Sequence, residues 1–267
     1  MVLILILILI ILILFYIINN NLINVETYIE TFNEQGIIFY KKNNLYNILK
    51  KDDDKYFQSF YDIDLKVRKV NNIDEYYKIL YNSLCEPDNK IMNKITNCIY
   101  KLKVKLNNYK NKNNYYYDIN LKKFINLKWK FGFTCNAEYE NGLPHTRNDI
   151  IILNKNRINN YNDLRIMKTL LHEQVHVYQK KYPEEMNTYL GKNNFKKIKE
   201  IEGIDNIRAN PDLDNFIYQD ENHNTYKAVY NDKANSIEDV TYYPVNNQSH
   251  EHPNEKMAID FESIINQ

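Results

Sequence analysis

Apolar residues in this chain come first as an unbroken run, then at helical spacing, then at strand spacing, and each pattern predicts its own kind of element. The run from Val2 to Ile18 would span roughly 25 Å as a helix, at about 1.5 Å per residue, close to the hydrocarbon thickness of a bilayer. It has no polar face to suit a buried helix. It also lacks the basic start and small-residue cleavage site of a signal peptide. Residues 2–18 are therefore expected to be a transmembrane helix in the lipid bilayer, a single-pass N-terminal anchor. A cleaved signal segment, which would make the protein secreted, is the rival. Glu26, Glu30 and Glu34 precede the first basic residues, Lys41 and Lys42, so charge does not orient the anchor.

Residues 19–125 read as mostly helical and polar-faced. Ile91, Ile95, Cys98, Ile99 and Leu102 recur at helical spacing, and Tyr76, Tyr77, Ile79 and Leu80 do so less cleanly. The cluster Lys50-Lys51-Asp52-Asp53-Asp54-Lys55 reads as a solvated turn. This half shows no chemistry and is expected to be an accessory region packed on the C-terminal half. At Trp129 the period becomes two: Trp129, Phe131, Phe133 and Cys135 alternate with Lys130, Gly132 and Thr134 in a half-buried strand. Asn141-Gly142 marks a turn, and Asp149 to Leu153 reads as a buried strand. A helix comes next, with Met167, Leu170, Leu171, Val175 and Tyr178 on its apolar face, Asn162 or Asp163 as cap, and Pro183 beyond its end. Residues 184–200 suggest a further helix broken near Gly191. Segments 216–218, 226–230 and 240–243 suggest short strands.

Composition changes this picture little. The net charge of +1 gives no pull towards nucleic acid, and none is expected as a partner. Asn, Ile, Lys and Tyr are used heavily along the whole length, so runs of them carry no signal. The three cysteines, Cys85, Cys98 and Cys135, are too few for a disulfide framework. Three reduced thiols are the preferred reading, with a Cys85–Cys98 bridge as the alternative. Asn247-Gln248-Ser249 is a glycosylation acceptor that matters only if the domain is lumenal or extracellular.

The chemistry lies inside the helix around residue 172, in His172-Glu173-Gln174-Val175-His176. Positions i and i+4 share a helix face, so both imidazoles can reach one metal ion. Glu173 stands beside the first ligand, where its carboxylate reaches a water as general base. A zinc site needs a third protein ligand. Pro253 is placed to start a helix, which sets Glu255 in its first turn and the small Ala258 one turn on. Glu255 is the preferred third ligand. His250 and His252 are rivals on chemistry alone, and an acid favourable to a helix N-terminus is the bland account of Glu255. His145, Tyr242, Tyr243 and His223 are candidate oxyanion donors that the sequence does not rank.

The stretch 171–179 together with the later His252-Pro253-Asn254-Glu255-Lys256-Met257-Ala258 resembles gluzincin-type zinc metallopeptidases. It is similar in particular to a group of metallopeptidase-like proteins, some from large DNA viruses, that share H-E-x-x-H-x-x-Q and a later Pro-x-Glu-x-x-Ala helix. The resemblance covers roughly residues 129–267. It implies Zn2+ on His172, His176 and Glu255, with Glu173 as catalytic base. One departure stands out. The thermolysin-like pattern places Asp four residues after the ligand Glu, whereas this chain has Ile259 there and Asp260 one place late.

The expected architecture is α+β: an anchor or signal segment in residues 1–18, a helical accessory region in 19–125 and a zincin-like metallopeptidase domain in 126–267. The expected function is a membrane-anchored, zinc-dependent peptidase acting on a peptide or protein substrate by a zinc-activated water with Glu173 as base. The alternative is a non-catalytic, membrane-anchored binding or structural protein on a zincin-like fold.

Overall fold

The computed structural model describes residues 36–201, 206–245 and 250–266. It is an α+β fold whose main sheet draws strands from both halves of the chain. Strand β1 (Ile37–Phe39) comes first, then helices α1 (Lys42–Lys50), α2 (Asp62–Val67), α3 (Ile73–Ser83) and α4 (Asn89–Lys110). A hairpin, β2 (Tyr115–Tyr116) and β3 (Ile119–Asn120), leads into α5 (Leu121–Ile125), β4 (Trp129–Thr134), β5 (His145–Arg147) and β6 (Ile150–Asn154). Next come α6 (Lys155–Asn160), α7 (Asp163–Lys181), α8 (Pro183–Lys192) and β7 (Lys196–Glu200). Strands β8 (Phe216–Gln219), β9 (Thr225–Tyr230) and β10 (Val240–Tyr243) and helix α9 (Pro253–Glu262) complete it.

The main sheet runs β1-β4-β6-β5, with β5 antiparallel at one edge and the other pairings parallel. A second, antiparallel sheet runs β10-β9-β8-β7. The three-residue strand β1 is too short to betray itself by period, yet Ile37, Ile38 and Phe39 are all buried. Phe39 stacks on Phe131 and Phe133 of β4. The apolar face of α4 (Ile91, Ile95, Ile99, Leu102) packs in the same core as the buried face of α7 and as Met257, Ala258 and Phe261 of α9. The N-terminal half is thus built into the sheet and core that carry the α7 helix. Gly132 allows the close approach of α1, since a Cβ there would collide with Leu45 and Ile152.

Several expectations are corrected. The membrane location is one: among the described residues no helix is long and apolar enough to cross a membrane. Even α4, 22 residues long, carries lysines along its length. Residues 2–18 and the acceptor Asn247-Gln248-Ser249 lie outside the described residues. The cysteine reading is another, because Cys85 and Cys135 form a disulfide with Cα atoms 5.8 Å apart. Reciprocal backbone bonds, Cys85 N to Phe133 O and Cys135 N to Ser83 O, hold the two segments side by side. Cys98 is free, and burial pushes its thiol up to about 11. The break expected near Gly191 is where the helix ends, at Lys192, and the stretch expected to continue as helix to residue 200 does not. Asn194 takes a left-handed conformation (φ 56°), and a lysine-rich edge strand, β7, comes after it. Asp52 and Asp54 are not solvated: both pair with the fully buried Arg147 of β5.

Candidate metal centre

Helix α7 is capped where the sequence suggested, with Asn162 accepting from Arg165 N at 2.9 Å. Its apolar residues are buried, which leaves it no freedom to rotate and fixes the direction of His172 and His176. The two rings lie 4.9 Å apart. Helix α9 starts at Pro253, with the His252 side chain accepting from Asn254 N. Ala258 is fully buried where α9 packs on α7, and Glu255 in the first turn points its carboxylate between the histidines. Its oxygens lie 3.3 Å from His172 Nε2 and 3.6 Å from His176 Nε2. Ligand atoms of His172, His176 and Glu255 all fall within 4.8 Å of one another, a grouping that could hold a metal ion.

The far sides of the rings set the tautomers. His172 Nδ1 lies 3.0 Å from Glu262 Oε1, and His176 Nδ1 lies 2.9 Å from Gln179 Oε1. Those oxygens only accept, so each ring carries a proton on Nδ1 and turns Nε2 towards Glu255. Gln179 is itself held, donating from Nε2 to Asn254 O of α9 at 3.0 Å. His176 Nε2 is buried without any hydrogen-bond partner. An orphaned buried lone pair beside a carboxylate and a second imidazole suits a cation. Two nitrogens and one oxygen, with both rings braced from behind, also match the usual support of metal-bound histidine.

The ionisable groups of the site are shifted in different directions. Burial alone would lower the pKa of His172, but Glu255 and Glu262 outweigh it and hold the imidazole well above its ordinary value. For His176 burial prevails and the pKa is lowered. Burial would raise Glu255, yet His176 and His172 pull its carboxyl well below the usual range. Glu173 is pushed the other way, well above the ordinary carboxyl value, by burial first and then by Asp212 and Glu255. Thr146 of β5 steadies it, its hydroxyl 3.1 Å from both Glu173 Oε2 and Glu173 O.

The structure brings together His172, Glu173, His176 and Glu255 and separates the rivals. His250 stacks on Tyr226, and His252 is spent on the α9 cap and on Asp214 at 3.0 Å. Asp260 pairs with Lys256 instead of a ligand, so the displaced acid of the motif is off the site. The acid that bonds His172 is Glu262, seven residues after Glu255. That is two turns along the same helix face, a spacing that could have been read from the sequence. Asp212 and Arg208 carry no such signal and come to the site only through the fold. A cleft of about 290 Å³ opens beside Glu173 and Glu255 and is lined in part by His145, Arg208, Asp212 and Tyr242. Tyr243 and His223 are not among its lining residues. His145 donates from Nδ1 to Leu143 O at 2.9 Å, since a carbonyl only accepts. Its Nε2 is then a lone pair, unsuited to an oxyanion, and of the expected set Tyr242 is the hydroxyl-bearing residue that lines the cleft.

The chain matches no family model, and neither a curated protein nor a solved structure matches it.

Proposed function

We propose that the chain is a zinc-dependent peptidase, with His172, His176 and Glu255 as zinc ligands and Glu173 as general base. One observation carries this reading. A buried, partnerless His176 Nε2 faces Glu255 and the oriented His172 Nε2, beside a carboxylate of raised pKa at the wall of a cleft. Two histidines and one carboxylate are a hydrolytic zinc set, and zinc would supply Lewis acidity towards a carbonyl oxygen and lower the pKa of a water.

The remaining work belongs to the chain. Glu173 takes the proton that the attacking water gives up and passes it to the departing amine nitrogen as the C–N bond breaks. Its raised proton affinity suits both halves of that transfer. Thr146 holds one oxygen of Glu173, which leaves the other free for the proton. Glu262 and Gln179 keep both rings in the tautomer that presents Nε2. Tyr242 and Arg208 line the cleft as donors available to a substrate carbonyl.

The test is metal content of the full chain purified without chelator, beside Glu255→Ala, His172→Ala and Glu173→Gln. One zinc per wild-type chain is expected, lost or much weakened in the first two variants. Zinc is expected to stay in Glu173→Gln while peptide hydrolysis falls by about 10²–10⁴-fold. A wild type that binds no added zinc, or a Glu173→Gln that still hydrolyses at the wild-type rate, removes the assignment.

A further inference from the structure

The strand nearest Glu173 is closed to a substrate backbone. β5 is the edge of the main sheet, where an extended peptide would ordinarily add as another strand. Its middle residue, Thr146, has both backbone groups engaged by side chains. Its N–H donates to Asp212 Oδ1 at 2.6 Å, and its carbonyl accepts from Lys180 Nζ at 2.7 Å. Lys180 also holds Pro211 O at 2.7 Å. The segment bearing Asp212 is tied down further. Arg208 pairs with Glu251, Ala209 N donates to Asp64 Oδ1 at 3.1 Å, and Asn210 Nδ2 donates to Glu251 Oε1 at 2.9 Å. A peptide entering the cleft therefore does not add to β5 as a further strand at Thr146, and selection between peptides falls to contacts with their side chains.

The cleft offers those side chains mostly acceptors. Glu140 on its wall is neutralised by Arg68, Glu251 is neutralised by Arg208, and Glu255 belongs to the metal triad. Asp212 and Glu238 remain. Among the described residues neither makes an ion-pair contact: Lys180 lies near enough to Asp212 to feel its charge, but its hydrogen bonds go to the carbonyls of Thr146 and Pro211. Glu238 accepts only from Asn141 Nδ2, at 3.0 Å, and is otherwise exposed. His145 adds an independent sign. It is 4% exposed, and its Nε2 is a buried lone pair without a partner. Leu143, Pro144 and Ile237 supply apolar wall beside these acceptors. Such a wall suits the methylene stem of a lysine or arginine, whose head has only donors to offer.

We propose that the part of the cleft walled by Asp212, Glu238 and His145 is a subsite for a basic side chain of the substrate. The proposal rests on the peptidase reading, naming the class of peptide that site would select. At about 290 Å³ the cleft is at the small end for a ligand pocket, room for one or two residues.

The test measures binding apart from turnover. Full-chain Glu173→Gln is titrated in zinc-containing buffer with two pools of end-blocked hexapeptides, identical except that one carries lysine where the other carries norleucine. The lysine pool is expected to bind about 10-fold more tightly at low salt, with the advantage shrinking as ionic strength rises. Adding Glu238→Gln, an exposed substitution that leaves zinc content unchanged, should cut the preference to about 3-fold or less, and adding Asp212→Asn should remove most of the rest. Equal binding of the pools, or no binding of either, overturns the subsite. Wild-type cleavage of both pools alike also rejects it while keeping the peptidase reading. Lysine-selective binding with no cleavage by wild type keeps the subsite and rejects the peptidase.

Discussion

Two groups of buried ionisable side chains adjoin β5, and they satisfy their polar atoms in opposite ways. In the first, which includes Glu140 of the cleft wall, every buried acid meets a cation of the protein. Arg68 bonds both oxygens of Glu140, at 2.9 and 3.0 Å, and Asp64 at 3.2 Å. Arg147 bonds Asp54 with two nitrogens, each at 2.7 Å, and Asp52 at 2.9 Å. Tyr56, Tyr76 and Tyr230 complete the hydrogen bonding around Arg68. In the cleft, Glu173, Asp212 and Glu255 converge on two histidines with an imidazole nitrogen unpaired. The first cluster is a finished structural device. In the second, one buried imidazole nitrogen has no hydrogen-bond partner, and that contrast is why we place the function there.

The sharpest way to break the comparison is to remove a cation from the finished cluster. Arg68→Met leaves Glu140 and Asp64 buried without their partner and should cost about 3–5 kcal/mol in urea unfolding. A loss under about 1 kcal/mol would mean water reaches the cluster and that it is no more closed than the cleft. Removing the disulfide by Cys85→Ser with Cys135→Ser should cost about 2–4 kcal/mol, since the bridge joins positions 50 residues apart. Zinc affinity should survive it, as neither cysteine touches the centre.

Within the cleft, Glu262→Gln should weaken zinc binding by about 10–100-fold in a chelator competition, through the orientation of His172. Asp260→Asn is the control and should change affinity little, because its partner is Lys256. Reversed results would return the supporting acid to the position the thermolysin-like pattern expects. The gentlest test is pH. Arg68 holds the Glu140 carboxyl down at about 2 against the burial that would raise it, from an ordinary value of 4.5. A depressed carboxylate contributes stability that is fully present above 4.5 and is lost as pH falls towards 2. The stability gap between wild type and Glu140→Gln should thus be flat from about pH 7 to about 5 and shrink below it.

How much of this was legible in the sequence differs by element. α7, its Asn162 cap, β4, β6 and the start of α9 at Pro253 follow from apolar period and cap chemistry, which act over a few residues. His172, Glu173 and His176 follow from one helical turn. β1 was missed because three apolar residues define no period, and β7 because lysine-rich edge strands look like helix or loop. The solvated reading of Asp52 and Asp54 failed because their partner, Arg147, lies 95 and 93 residues away.

By itself, then, the sequence determined what one or two helical turns can hold: a buried helix presenting two imidazoles and a carboxylate, and a second helix starting with a glutamate. Only the tertiary structure decided that Glu255 completes the group, that Glu262 and Gln179 orient it, and that Cys85 finds Cys135. It alone set Asp212 across the edge of β5. Hydrogen bonds and ion pairs depend on distances of about 3 Å, and between segments tens of residues apart those distances are set by packing, which no local pattern records.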